Sequence, residues 1–280
     1  ATDMLSYRHA FHAGSFADVL KHAVLVHVLR HAVQKPKPVC FLDTHAGAGS
    51  YDLGSTMARK TGEFRAGIEP VLAGCEPPEL LRPYLDLVRA ANRPGELRFY
   101  PGSPAFARAV LRPHDRIELI ELHGTDHPAL AGWAGPGIAV RREDGLVALH
   151  RRMPPPERRA VVLVDPSYEL KTDYREVVAA LALAHRRFAT GIYLLWYPVI
   201  ERARIDAMLA ALAASGMPRQ LRIELCPLPD ATGRGMTGCG LVVINPPWTL
   251  AGAAEGALSW LAHSLGTGGP RRVEWLTPAS

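Results

Sequence analysis

Two stretches end an apolar, β-branched run with residues able to hold an amine: Asp165-Pro166-Ser167-Tyr168 in VVLVDPSYEL and Asn245-Pro246-Pro247-Trp248 in LVVINPPWTL. An exocyclic amine on a heteroaromatic ring is a poor nucleophile, because its lone pair is delocalised into the ring. A side-chain oxygen and a backbone carbonyl restrained by proline, each accepting one N–H, pull that nitrogen toward sp³ and aim it at an electrophilic methyl group. The aromatic residue that follows offers a face for a base taken out of its helix. Which stretch does this depends on where the chain places each of them.

A second group gathers around LDTHAGAG at 42 to 49. Asp43 ends an apolar run, and Gly47 and Gly49 let a ligand approach the backbone at a turn. The spacing is not G-x-G-x-x-G, so a dinucleotide is not indicated. A nucleoside across such a sheet needs a carboxylate at the next strand end for its ribose hydroxyls. Glu69 follows Gly49 by 20 residues but has no strand before it, whereas Glu121 closes RIELIEL. At the strand end after that, Asp144-Gly145 can meet an adenine amino group.

The elements that position these groups alternate. SFADVLKHAVLVHVLRHAV reads as a helix opened by Ser15 with Asp18 three residues on, and KPKP stops it. Strand patterns follow at the run before the glycine turn and at 116 to 123, 137 to 145, 160 to 168, 191 to 199, 220 to 228 and 239 to 248. Amphipathic helices lie between several of them, one with Tyr174, Val177, Val178, Leu181 and His185 on a face, another with Ile205, Met208, Leu209 and Leu212 before Gly216.

This predicts one α/β domain over 1 to 280: a Rossmann-like sheet of seven strands, mostly parallel, with the last strand antiparallel. The stretch from 51 to 110 is longer than one crossover helix requires and reads as a small helical insertion suited to substrate recognition. Counting strands puts VVLVDPSY fourth, with its carboxyl end in the crevice shared by the glycine turn, Glu121 and Asp144. The short link from QLRIELCPL to CGLVVINPPW favours an antiparallel pair, which sends Asn245 to the opposite edge.

Composition narrows the classes. Across 280 residues, 48% hydrophobic, no apolar run reaches the roughly 20 residues of a membrane span, and no signal-peptide pattern is present, so a soluble cytoplasmic protein is expected. Cys40, Cys75, Cys226 and Cys239 are far apart, which suggests neither a disulfide framework nor a thiolate metal site. The pairs His9/His12 and His123/His127 have usable spacing but no acidic cluster, so no metal is expected. Lysine plus arginine exceed aspartate plus glutamate, 32 to 27, and include Arg151-Arg152, Arg158-Arg159, Arg186-Arg187 and Arg271-Arg272, which can meet phosphates.

MLSYRHAFHAGSFADVLKH, LDTHAGAG, YPGSP, DPSYELKTDY, RFATGIYLLWYP and RGMTGCGLVVINPPW together resemble the RlmJ family, from Met4 almost to the end. Those are bacterial enzymes that use S-adenosylmethionine to methylate N6 of one adenine in 23S ribosomal RNA, leaving S-adenosylhomocysteine. The resemblance implies a class I methyltransferase fold acting on 23S ribosomal RNA, with the target base flipped into the DPSY loop; a monomer is expected. It implies cofactor contacts at Lys21, His22, His45, Ser103, Glu121, Asp144, Gly145 and Asp165, beside Gly47 and Gly49 of the turn. It makes Asp165 catalytic as well, and puts Tyr7 and His9, with Pro166 and Tyr168 of the loop, on the substrate. Lys21 and His22 otherwise read as the polar face of a helix, and Ser103 as part of a turn. The family loop is D-P-P-Y, so Ser167 is a departure that frees a φ angle and adds a hydroxyl, with activity expected to survive.

Overall fold

The computed structural model describes residues 8 to 230 and 235 to 278. Its centre is an eight-stranded sheet in the order β10-β8-β9-β7-β6-β1-β4-β5. These are β1 (Cys40–Asp43), β4 (Arg116–Ile120), β5 (Ile138–Arg141), β6 (Ala160–Val164), β7 (Ile192–Val199), β8 (Gln220–Leu225), β9 (Gly238–Ile244) and β10 (Arg271–Trp275). Every residue of β1, β6, β8 and β9 is buried, as the apolar runs of β6 and β9 require of strands covered on both faces, while β8 buries Gln220, Arg222 and Glu224 as well. β5, β4, β1, β6 and β7 pair in parallel, and β9 runs antiparallel between β7 and β8. The antiparallel link expected between the last two apolar strands is therefore present.

The eighth strand is a correction to the seven expected. β10 adds antiparallel to β8 at the sheet edge, with its Arg271, Arg272, Glu274 and Trp275 side chains exposed. An edge ribbon held by backbone pairing carries little apolar alternation, and RRVEW shows almost none.

Helices cover both faces. On one lie α1 (Phe16–Ala32), α5 (Ser103–Val110) and α10 (Leu250–Ser264); on the other lie α7 (Gly145–Arg151), α8 (Asp173–Arg187) and α9 (Arg202–Ala213), while α6 (Asp126–Ala134) joins β4 to β5. Ser15 caps α1 as expected, its hydroxyl accepting from Asp18 N. The helix has no solvated polar face near its start, however: Lys21 is 4% exposed and His22 1%. α1 touches β6, β7 and β9 beneath and α5, α10 and the helix Arg82–Ala90 around it, so its polar residues were placed inside for reasons other than solubility.

Residues 51 to 110 hold α2 (Thr56–Thr61), α3 (Ile68–Ala73), α4 (Arg82–Ala90) and α5. They also hold most of a two-stranded ribbon of β2 (Ser50–Asp52) with β3 (Phe99–Pro101), which pairs Tyr51 with Tyr100. The ribbon closes the excursion, and Gly102 N donates to Gly49 O at 2.9 Å, so the chain re-enters the domain beside the turn it left. From there α5 packs on β1 and β4 as a crossover helix.

Candidate active site

The sheet reverses direction of growth at β1: the chain adds β4 and β5 on one side, then returns to lay β6 and β7 on the other. Loops leaving the carboxyl ends of β1 and β6 splay apart at such a point and open a crevice. His45, Gly47 and Gly49 follow β1, Glu121 follows β4, Asp144 and Gly145 follow β5, and Asp165 follows β6, so all stand along this one edge.

Backbone conformation builds the cradle. Gly47 and Gly49 have φ of +61° and +83°, and a Cβ at Gly49 would come within 2.6 Å of the Trp133 ring. Glu121 is buried and accepts from Gly47 N and His123 N, each at 2.8 Å, which ties the carboxylate to the turn. Burial raises its pKa against those two N–H bonds. Asp144 caps α7 by accepting from Val147 N at 2.9 Å, and a Cβ on Gly145 would lie 2.1 Å from the Thr44 carbonyl oxygen. Only glycine lets the α7 N-terminus sit on that turn. His45 is held neutral, burial pushing it down to about 4 despite Asp165 and Asp144.

Asp165 lies beside Asp43 at the β1/β6 switch. Asp43 is fully buried, accepts from Ser103 Oγ at 2.6 Å and from His45 N at 3.2 Å, and burial pushes it up to about 7, with Asp165 adding to the rise. Asp165 Oδ2 accepts from Lys21 Nζ at 2.6 Å. Among the described residues neither Asp165 Oδ1 nor the Pro166 carbonyl accepts a hydrogen bond. Lys21 also meets Asp18 Oδ1 at 3.0 Å and stands 5.8 Å from the centre of the Trp196 ring. Asp18 Oδ2 in turn accepts from His9 Nε2 and Gly14 N, both at 2.9 Å.

The remaining predicted residues are placed less simply. Ser103 opens α5 and binds Asp43; its signal was the proline behind it, a helix-start residue that PGSP displays. His22 points into the ribbon, bonded through Nδ1 to Tyr100 Oη at 2.8 Å and packed on Phe106 at 4.9 Å between ring centres. Burial holds its pKa well below the usual imidazole range. Tyr168 has φ of +52°, donates to Trp196 O at 2.7 Å and packs its ring at 4.6 Å on Tyr174, leaving it 6% exposed. It thus differs from the open stacking face expected of it and serves to clamp the loop. His9 lies against Tyr51 at 5.1 Å, and Tyr7 falls outside the described residues.

Asn245 sits at the other edge. Its amide donates to Ala189 O and Gly191 O, both at 2.8 Å, tying the end of β9 to the start of β7. NPPW is therefore a turn that ends a strand, remote from the crevice. Sequence reasoning overlooked Asp18 beyond its capping position, and gave no role to Trp133 or Trp196, whose contacts come from distant elements.

The likeness to known proteins extends over nearly the whole chain. The family described as "Ribosomal RNA large subunit methyltransferase D, RlmJ" matches residues 36–277. The chain is 47% identical over 280 residues to a ribosomal RNA large subunit methyltransferase J of Escherichia coli, covering 98% of this chain and all of that one. It is 44% identical to the protein of the same name from Haemophilus influenzae, again over 98% of this chain and all of that one. A crystal structure of a Legionella pneumophila protein superposes with a TM-score of 0.88 at 37% identity, covering 94% of this chain and 98% of that one. A probable spermidine synthase of Corynebacterium glutamicum, 15% identical with a TM-score of 0.53 over 93% of this chain and 75% of that one, shares the fold alone. The fold is that of class I S-adenosylmethionine-dependent methyltransferases, and the chain belongs to the RlmJ family of ribosomal RNA large subunit methyltransferases.

Proposed function

We propose that this protein transfers a methyl group from S-adenosylmethionine to the exocyclic N6 of an adenine in large-subunit (23S) ribosomal RNA. The observation that carries the reading is the pair of consecutive acceptors at the β1/β6 switch, Asp165 Oδ1 and the Pro166 carbonyl, neither of which has a partner among the described residues. Two N–H bonds need two acceptors, and the residue types match the two protons of a primary amine. Lys21 holds the other Asp165 oxygen, so the carboxylate can turn only one face to the amine.

The cradle suits the cofactor. Positive-φ glycines, a ribose carboxylate preset by two backbone donors and a helix N-terminus at Gly145 fit a nucleoside with an amino acid tail. When bound there, S-adenosylmethionine supplies an electrophilic methyl group on a sulfonium. Gly47, Gly49, His45, Glu121, Asp144 and Gly145 would bind and orient it, with Lys21, Ser103 and Asp165 closing the other side; His22, also expected to contact it, is instead turned toward Tyr100 and Phe106. Asp165 and the Pro166 carbonyl would hold the amine; as N–CH3 replaces S–CH3 and S-adenosylhomocysteine leaves, Asp165 would stabilise the positive charge on nitrogen until its proton is lost to solvent. The family resemblance assigns Tyr7 and His9 to the target nucleotide, and Tyr168 fixes the loop to which flipping would deliver the base. The insertion at 51 to 110, apart from its crossover helix α5, would serve as a recognition subdomain of a cytoplasmic, monomeric enzyme.

The test is competition for labelled methyl groups among protein-free 23S RNA fragments, duplex DNA and a protein extract. The expected result is label in the RNA fraction; transfer mainly to DNA or protein would reject the substrate assignment.

A further inference from the structure

Asp18 is the sole acidic residue of α1 and is 1% exposed; burial pushes its pKa up, but His9 and the Lys21 ammonium outweigh that and hold it well below the usual carboxylate range. Its two oxygens have separate tasks. Oδ2 takes Gly14 N and His9 Nε2, anchoring the segment ahead of α1; Oδ1 takes Lys21 Nζ, one turn along. A lysine head on four rotatable bonds is poorly fixed by a single contact. Bridging Asp18 Oδ1 at 3.0 Å and Asp165 Oδ2 at 2.6 Å, it is pinned in the direction that matters to the carboxylate beyond it.

We propose that Asp18 is a positioning residue for methyl transfer, acting through Lys21 to set which oxygen of Asp165 faces the amine. The proposal rests on the reading of Asp165 as the acceptor for that amine. Asparagine separates this role from a purely structural one. Gly14 N is an obligate donor, so the one amide oxygen of an asparagine goes to the Oδ2 position and keeps that anchor. The amide N–H2 then confronts the Lys21 ammonium, donor against donor, and the link toward Asp165 is lost. A helix-capping account predicts no such selectivity.

The experiment is a double-mutant cycle of kcat and KM on 23S RNA fragments, using the full chain as wild type, Asp18→Asn, Lys21→Met and the double variant, with thermal unfolding as the check on folding. Asp18→Asn is expected to lower kcat about 30-fold with KM for RNA within about threefold, and to lower it by less than about threefold once Lys21 is methionine. Equal losses in both backgrounds, or a loss confined to KM, would overturn the proposal. If Asp18→Asn does not unfold cooperatively, Asp18→Ser, which is smaller and still accepts one hydrogen bond, is put through the same cycle with the same criteria. A wild type that labels no RNA rejects the functional reading itself, a result distinct from an additive cycle in an active enzyme.

Discussion

At the scale of single residues, chemistry here depends on which polar groups are buried and which stay uncommitted. Asp43 is the clearest case: no part of it reaches solvent, and burial raises it to about 7. A carboxyl whose folded pKa is raised contributes stability that is complete below the unfolded value near 4 and is lost as pH rises through about 7. Asp43→Asn removes that dependence. The unfolding free energy of the variant minus that of the parent should therefore grow between about pH 4 and 7, by at most about 1.4 kcal/mol per unit, and level off above. Denaturant titrations across that range check it; a constant difference would mean the carboxyl titrates normally.

At the scale of elements, the turn and loop geometry makes two predictions. Gly145→Ala drives a methyl into the Thr44 carbonyl and must push α7 off the β1 turn, so affinity for S-adenosylmethionine by calorimetry should fall at least about tenfold. Ser167→Pro is the opposite case. The Ser167 N–H has no acceptor among the described residues, and the loop is already clamped by the Tyr168 hydroxyl on Trp196 O. Proline there sacrifices no hydrogen bond, so kcat should stay within about threefold of the parent; a large gain would show that the parental loop is slack. The elements themselves were largely legible in the sequence: seven apolar runs are strands, the order of strands chose DPSY over NPPW, and Glu121 was separated from Glu69 by the strand before it. What escaped has a physical cause in each instance. Lys21 looked like a solvated helix face because buried charge is readable only once its partners, Asp18 and Asp165, are known, and Asp165 is 144 residues away. β10 is an exposed edge, β2 and β3 have three residues each, and the Tyr168 face is filled by Tyr174, a contact no spacing rule announces.

At the scale of the molecule, the formal charge of +5 is modest, with buried carboxylates such as Glu118 and Glu224 each tying up several arginines. Binding to RNA should still weaken with salt, log Kd rising with log salt at about 0.7 per phosphate contacted, while S-adenosylmethionine affinity stays nearly constant. Filter binding between 50 and 200 mM salt, on the order used for such proteins, reads this directly, and a salt-independent Kd would remove the phosphate contribution. The central claim is that the β1/β6 crevice methylates an adenine amine of large-subunit RNA through Asp165. Its most direct test is nucleoside mass spectrometry of 23S RNA after incubation with wild type or Asp165→Ala and isotopically labelled S-adenosylmethionine. Wild type should give labelled N6-methyladenine, and the variant about 10²- to 10⁴-fold less. Label on a ring nitrogen, a ribose or another base, or undiminished labelling by Asp165→Ala, would contradict it.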